Sequence, residues 1–493
     1  MTRLADLFDA QRVLAHRGDT SMRVSGVATD SRLVGPGDLF VCLPGYRAPG
    51  GETLSDRHDY ARQAYERGAV AFLVERDVDV PPTCAVVRVD DTWSAAAIAA
   101  ARFHGQPSAS LFSVGITGTS GKTSTSYFVD AVLRAGGHRV ARLGTIDYRL
   151  GDEIIPAEQT TPEAPVLQRL LRRAVDSGCS AVVMEVSSHA LELQRVRGVH
   201  FDVGVFTNLS RDHLNFHPDM ASYRLAKARL FRGLGAAAAA VVNIDDREWR
   251  EMVSGSQAQP IRYGLSLAAE VVATAVHTTM AGLEFEVNTP SGSARVKLSQ
   301  LGAYNVHNAL AAFAVGLHMG MSPPDIAHAL ASAESVPGRF EVIEGPRDFT
   351  VVVDYAHKPD ALERVLECAR RLKPRRLLTV FGCGGDRDRG KRALMGRIAG
   401  RASDLVVVTS DNPRSEEPGA IIDDILVGSR ESDPQLRRHL VEVDRAKAIR
   451  CAVELAEAGD LVVIAGKGHE SYQLVAGRRL DFDDREHARL AVR

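Results

Sequence analysis

Apolar residues along this chain come in short, uninterrupted runs. Each run ends in a cluster of glycine and polar residues, and a helical pattern follows. In the middle of the chain the runs are 111–116, 181–186 and 203–206. Short runs that stay uncharged until their ends predict parallel strands covered on both faces. After the first run, Val129, Val132 and Leu133 take the i, i+3, i+4 spacing of a helix, which stops at Gly136-Gly137. The pattern returns after residue 349, with predicted strands at 350–353, 377–381, 405–409 and 461–465 and helical patterns between them. That is a βαβ series and predicts a doubly wound parallel sheet. The first hundred residues predict a smaller α/β unit: a turn and strand at 37–43, a helix at 60–67 ending at Gly68, and a strand at 69–74. Residues 270–300 alternate polar and apolar and predict an antiparallel excursion.

Gly and Pro punctuate 104–108 and 336–338. They divide the chain into three expected domains, 1–106, 107–338 and 339–493. The length of 493 residues agrees with about three domains. Hydrophobic residues at 45% and charged residues at 25% exclude wholesale disorder. Sixty Lys and Arg against 62 Asp and Glu leave a net charge of -2, so there is no general electrostatic case for nucleic acid or an anionic membrane. The six cysteines form no C-x-x-C pair, which argues against a disulfide framework or a thiolate zinc site. The first residues lack an apolar signal region, and no run approaches 18 uncharged apolar residues. The expectation is a cytoplasmic protein.

The chemistry sits where parallel sheets bind ligands, at the carboxyl ends of strands. Gly118-Thr119-Ser120-Gly121-Lys122-Thr123-Ser124 lies between a predicted strand and a predicted helix. Its glycines let backbone N–H groups wrap phosphate oxygens, its lysine neutralises the β/γ-phosphates, and Thr123 offers a hydroxyl to Mg²⁺. Ile116 stands where the common phosphate-loop spacing has glycine, so the loop is a tighter variant. Glu185 ends an apolar run, where a carboxylate is costly unless it binds something, and a metal is its natural partner. His213 and His217 are four apart but lack the Glu of H-E-x-x-H, so zinc is not expected. A histidine assisting Mg²⁺ and a structural histidine both stay open. In the last third, 354–360, 382–392, 411–414 and 466–470 follow successive strands. Together they make a site for a zwitterion, arginines taking carboxylates and acidic groups an ammonium.

Six clusters in order, 118–124, 185–189, 207–213, 304–308, 354–360 and 411–414, resemble the Mur ligase family over nearly the whole chain. The resemblance implies three α/β domains: a small N-terminal one for a uridine nucleotide, a central P-loop-type parallel-sheet ATPase, and a C-terminal Rossmann-like one for an amino acid. It implies an ATP-dependent acid–amino-acid ligase using ATP and Mg²⁺. The Asp-Asn-Pro-Arg form resembles the type that adds meso-2,6-diaminopimelate to UDP-N-acetylmuramoyl-L-alanyl-D-glutamate in peptidoglycan precursor synthesis. An L-lysine-adding form or a folylpolyglutamate-like paralogue is the alternative.

By the same resemblance, Gly118 to Ser124 with Asn305, Arg339, Asp354 and His357 hold ATP. Thr123, Glu185 and His213 surround Mg²⁺, and Lys122, Lys227 and His213 are the catalytic set. Read alone, Lys227 is an exposed lysine of a helix; the resemblance makes it a lysine that is carbamylated and then holds a second Mg²⁺. Ser31, Thr160, Thr161, Ser187 and Arg195 match contacts to the nucleotide-linked dipeptide. Arg387, Asp411, Asn412, Pro413, Arg414, Gly466 and Glu470 match the amino-acid pocket. The resemblance further implies a monomer without nucleic-acid or membrane partners. Two departures stand out: the uridine loop, commonly Gly-His-x-x-Asp-Gly, reads 45–52 with Tyr46 for histidine, and Leu193 replaces a polar contact.

Overall fold

A computed structural model describes residues 1–8, 12–48, 53–279 and 282–493. The chain divides into two compact units. One comprises residues 1–274, 287–294 and 307–330; the other comprises 275–286, 295–306 and 331–493. Both are mixed α/β with parallel sheets at their centres, as the uninterrupted apolar runs require.

The first unit begins with a five-stranded sheet in the order Val13–Arg17, Ala85–Val89, Ala71–Val74, Leu39–Val41, Val27–Ala28. Only Val13–Arg17 runs antiparallel to its neighbour. Leu39, Val41, Leu73 and Val87 pack with Ala96 and Ala99 of helix Thr92–Phe103 on one face, and Phe40 and Phe72 pack with Ala61 and Ala64 on the other. In the central sheet, six strands run parallel: Val140–Leu143, Ala181–Glu185, Phe112–Thr117, Val203–Phe206, Ala239–Asn243 and Gln259–Gly264. All five residues of Ala239–Asn243, a strand not among those the hydrophobic pattern predicts, are buried. The antiparallel strands Asp147–Leu150 and Glu153–Pro156 finish one edge. Three strands, Val271–Thr279, Gly282–Thr289 and Gly292–Leu298, occupy the stretch expected to leave the parallel pattern, and the first of them pairs parallel with Gln259–Gly264.

The second unit holds a six-stranded sheet ordered Glu341–Ile343, Thr350–Asp354, Leu461–Ala465, Leu377–Phe381, Leu405–Val408, His439–Val441. The first strand is antiparallel and the rest are parallel. Helices Pro359–Arg371, Gly390–Ala402 and Pro418–Ser432 cover one face through Leu362, Leu366, Met395 and Ile425. Helices Arg445–Glu454 and Asp484–Val492 cover the other through Ile449, Ala452, Ala488 and Val492. A hairpin of Tyr472–Val475 and Arg478–Asp481, which the hydrophobic pattern does not foretell, follows the strand Leu461–Ala465. No helix among the described residues is long and apolar enough to cross a membrane.

Candidate active site

The strand Phe112–Thr117 delivers the chain into 118–121, and helix Lys122–Ala135 starts at once. Two glycines make this turn possible. A Cβ on Gly118 would lie 1.8 Å from Thr207 Oγ1, and one on Gly121 would lie 2.5 Å from Asn308 Oδ1; both residues have positive φ. The register sets Thr117 beside Phe206, so Thr207 and Asn208 lie against the loop. Thr207 Oγ1 and Asn208 Nδ2 donate to the Ser120 carbonyl, Ser120 N donates to Asn208 Oδ1, and Thr119 N donates to the Asn208 carbonyl. Lys122 Nζ folds back onto the carbonyls of Gly118 at 2.8 Å and Thr119 at 3.1 Å. Thr123 and Ser124 are buried in the first turn of the helix. A glycine-rich turn at a helix N-terminus with a lysine beside it has the chemistry to receive phosphate.

Lys227 is not the exposed lysine its helix pattern predicts. It is 1% exposed on helix Met220–Arg232, and its Nζ donates to the Gly118 carbonyl at 2.8 Å and stands 4.5 Å from the Tyr223 ring centre. The helix is packed with this face inward, and a phosphate-loop carbonyl satisfies the ammonium.

Glu185 pairs in register with Ile116, just below the loop, and is 1% exposed. Its carboxylate accepts from Thr145 N at 2.8 Å and Thr145 Oγ1 at 3.1 Å. Thr145 Oγ1 lies 3.1 Å from Thr160 Oγ1, Thr161 Oγ1 donates to the Glu185 carbonyl, and Ser187 N donates to Thr161 Oγ1. Arg195 donates to the Thr161 carbonyl at 2.9 Å. The structure thus brings together Thr160, Thr161, Glu185, Ser187 and Arg195. His213 has φ 53°, with its ring 3.2 Å from Asp212 Oδ2 and 4.8 Å from the His189 ring. His189 and His217 are pushed down to about 4 by burial, so both are neutral near pH 7. Among the described residues no three His, Cys, Asp or Glu side chains converge on a metal position. A buried carboxylate beside a threonine hydroxyl suits Mg²⁺, which takes few protein ligands and completes its shell with phosphate and water. That donor set fits the ion.

Ser31 lies apart from this group, buried in the N-terminal sheet region and donating to Gln63 Oε1. Its neighbours Thr29, Asp30 and Arg32 line a cavity of about 760 Å³ together with Arg57, Gln159 and Glu163. Arg57 forks onto both oxygens of Glu163, and Thr29 Oγ1 donates to it as well. Burial alone would raise the Glu163 carboxyl; Arg57 outweighs it and holds the group below its usual range. Tyr46 stacks on Phe216 at 5.1 Å, and Phe216 lies 4.0 Å from the His189 ring. The rest of the altered loop, 49–52, lies outside the described residues.

In the second unit, the strand ends converge as the sequence predicts. Asp354 accepts from Phe340 N and Ala356 N, and burial raises its carboxyl to about 6. The Arg339 guanidinium lies 4.5 Å from the Tyr355 ring centre. His357 Nδ1 donates to the Tyr355 carbonyl at 2.8 Å, and burial lowers the imidazole to about 3. Asn305 donates to the Leu301 carbonyl. Asp411 and Asn412 are buried; Arg414 adopts φ 54° and places its guanidinium on the Gly385 carbonyl at 2.8 Å. Asn412 Nδ2 donates to Glu470 Oε2 at 3.0 Å. Pro413 lets the chain turn between Asn412 and Arg414, Gly466 has φ 128°, and Arg387 is exposed at the rim. Lys467 was missed as a site residue although its motif is visible in the sequence. It is fully buried, and its Nζ reaches Asp411 Oδ1 at 3.4 Å, Asn412 Oδ1 at 3.0 Å and Glu470 Oε2 at 3.2 Å. Thr145, the partner of Glu185, carries no motif at all.

Three family models match this chain in order: Mur ligase family, catalytic domain, over residues 23–104; Mur ligase middle domain over 116–316; and Mur ligase, glutamate ligase domain, over 338–468. The chain belongs to the Mur ligase family. A Mur ligase relative from Geobacter metallireducens, a UDP-N-acetylmuramoyl-L-alanyl-D-glutamate--2,6-diaminopimelate ligase, is 46% identical over 100% of this chain and 98% of its own. A solved structure of a ligase of that name is 34% identical, with TM-score 0.69 over 95% of this chain and 94% of the other. The crystal structure of MurF ligase from Thermotoga maritima in complex with ADP shares the fold, at 21% identity and TM-score 0.64 over 90% of this chain and 94% of the other.

Proposed function

We propose that this Mur ligase is an ATP-dependent amide ligase that joins meso-2,6-diaminopimelate to UDP-N-acetylmuramoyl-L-alanyl-D-glutamate. The full-length identity to relatives bearing that ligase's name carries the reading. The separate phosphate, carboxylate and zwitterion sites supply its chemistry.

The carrier's γ-carboxylate is a poor electrophile, and phosphorylation gives it a leaving group. A carboxylate oxygen attacks the γ-phosphorus of ATP, and ADP departs. The cradle of 118–124 orients the phosphates, and Lys122, folded on the Gly118 and Thr119 carbonyls, reaches out to the charge of the transferring group. Thr123 and Glu185, with His213 nearby, would hold Mg²⁺, which when bound neutralises phosphate charge. Thr160, Thr161, Ser187 and Arg195 bind the dipeptide, with the guanidinium on its carboxylate. Lys227 lies against the loop at Gly118 and is the residue we assign as carbamylated in the working enzyme. Asn305, Arg339, Asp354 and His357 complete the nucleotide's surroundings.

The amine nitrogen then attacks the acyl carbon, the tetrahedral adduct loses phosphate, and a proton leaves the nitrogen. Ser31 and the large cavity beside it take the uridine end of the carrier. Arg387, Asp411, Asn412, Pro413, Arg414, Gly466 and Glu470 receive the amino acid. Arg414 suits the distal carboxylate of diaminopimelate, which L-lysine lacks. We assign the domains as 1–106, 107–338 and 339–493, and the enzyme as a cytoplasmic monomer. The test is product mass after incubation with ATP, Mg²⁺, carrier and either amino acid. A tripeptide formed with diaminopimelate supports the reading; one formed only with lysine overturns the assignment of Arg414.

A further inference from the structure

We propose that Arg445 and Asp484 are positioning residues for the amino-acid pocket: one buried guanidinium, held by Asp484, fixes the two strand ends that carry Asp411 and Gly466. The inference rests on reading this unit as the amino-acid site.

Arg445 opens helix Arg445–Glu454, and Asp484 opens the last helix, Asp484–Val492. Both side chains are completely buried. Arg445 Nε and Nη2 each donate to one oxygen of Asp484 at 2.7 Å. Two further donors go to backbone: Nη1 to the Ser410 carbonyl at 3.3 Å and Nη2 to the Ala465 carbonyl at 3.0 Å. Ser410 directly precedes Asp411, and Ala465 directly precedes Gly466. The strands leading to these carbonyls are not neighbours, because Leu377–Phe381 lies between them. No ladder hydrogen bond joins these two strands directly; beyond their common neighbour and Lys467, the arginine fork ties the carbonyls at their ends to one guanidinium. The fit is close: a Cβ on Gly466 would stand 3.2 Å from Asp411 Oδ2 and 3.4 Å from Arg445 Nη2.

Helix packing alone does not call for this pair. A buried ion pair is often no more stabilising than apolar residues of the same volume, because both charges lose their hydration. What apolar residues cannot supply is donors for two carbonyls and a positive charge behind Asp411. Burial alone would push the Asp411 carboxyl up; Lys467 and then Arg445 outweigh it and hold the group below its usual range. His357 and Lys391 also face it, from the loop after Thr350–Asp354 and from helix Gly390–Ala402, and Glu470 lies on the far side of Lys467. An ionised Asp411 is what an incoming ammonium pairs with.

The experiment compares wild type, Arg445→Lys, Arg445→Met and the double variant Arg445→Met/Asp484→Leu. The double variant leaves no unpaired buried charge, so it tests the proposal even if Arg445→Met fails to fold. Kinetics are measured against each of the three substrates over a range of pH. The double variant is expected to raise KM for meso-diaminopimelate about tenfold or more, with KM for ATP and carrier within about twofold of wild type. Its acid limb in kcat/KM for the amino acid shifts to higher pH, since Asp411 loses a cation. Arg445→Lys keeps the charge but not the fork, so its acid limb stays in place while KM rises. A folded double variant with unchanged amino-acid KM, an unmoved acid limb, or all three KM values rising together would overturn the proposal. Wild type that binds ATP but makes no product with the amino acid would instead overturn the functional reading, and this inference with it.

Discussion

At the residue scale, the account rests on a few charges in unusual places. Lys122 folds onto its own loop through two carbonyls, so its loss removes charge from the phosphate site without opening a cavity. Lys122→Ala is expected to lower kcat by about 10²-fold or more while leaving the melting temperature near that of wild type, measured by phosphate release and calorimetry. Asp354 provides a pH test. Burial raises its carboxyl to about 6 from its ordinary value of 3.8, so the folded state binds its proton more tightly than the unfolded chain does. The stability it contributes is full below the lower value and is lost as pH rises towards the higher one. The stability of wild type minus that of Asp354→Asn should therefore fall with pH across this window and be flat above it. A difference that rises with pH there would contradict the burial assigned to Asp354.

At the element scale, the phosphate loop has room for no side chain at its first glycine. Gly118→Ala would drive a Cβ into Thr207 Oγ1, a residue that itself braces the Ser120 carbonyl. The expected result is loss of ATP-analogue binding by titration calorimetry, with the sheet intact by circular dichroism. Much of this architecture is legible in the sequence. Buried parallel strands such as Ala181–Glu185 and Leu461–Ala465 need apolar residues on both faces, so they announce themselves. Their ends carry glycine and charge, the composition of a ligand-binding strand end in a parallel sheet. What could not be read depends on contacts between distant segments. Lys227 sits in a helix whose sequence gives no sign which side faces the Gly118 carbonyl. Arg142 is buried between Asp130 and Asp147 with its guanidinium 3.4 Å from the Tyr127 ring centre, contacts that no local pattern around it announces. Arg445 and Asp484 are 39 positions apart, and nothing local pairs them.

At the scale of the whole molecule, the phosphate cradle lies in one compact unit and the Asp411–Glu470 pocket in the other. The proposed reaction takes an acyl phosphate from the first and an amine from the second. ATP and carrier together are therefore expected to reduce the radius of gyration in small-angle scattering; an unchanged profile under turnover conditions would count against closure. The near-even charge gives no general attraction to polyanions, so in the proposed function recognition of the anionic nucleotide carrier falls to local groups such as Arg32 and Arg57 along the cavity. The central claim is the reaction itself. The most direct measurement is phosphate release with product mass, from purified protein given ATP, Mg²⁺ and UDP-N-acetylmuramoyl-L-alanyl-D-glutamate, with meso-diaminopimelate or L-lysine in parallel. The account predicts phosphate and a tripeptide product with diaminopimelate and neither with lysine; folded, ATP-binding protein that makes no product with diaminopimelate would contradict it.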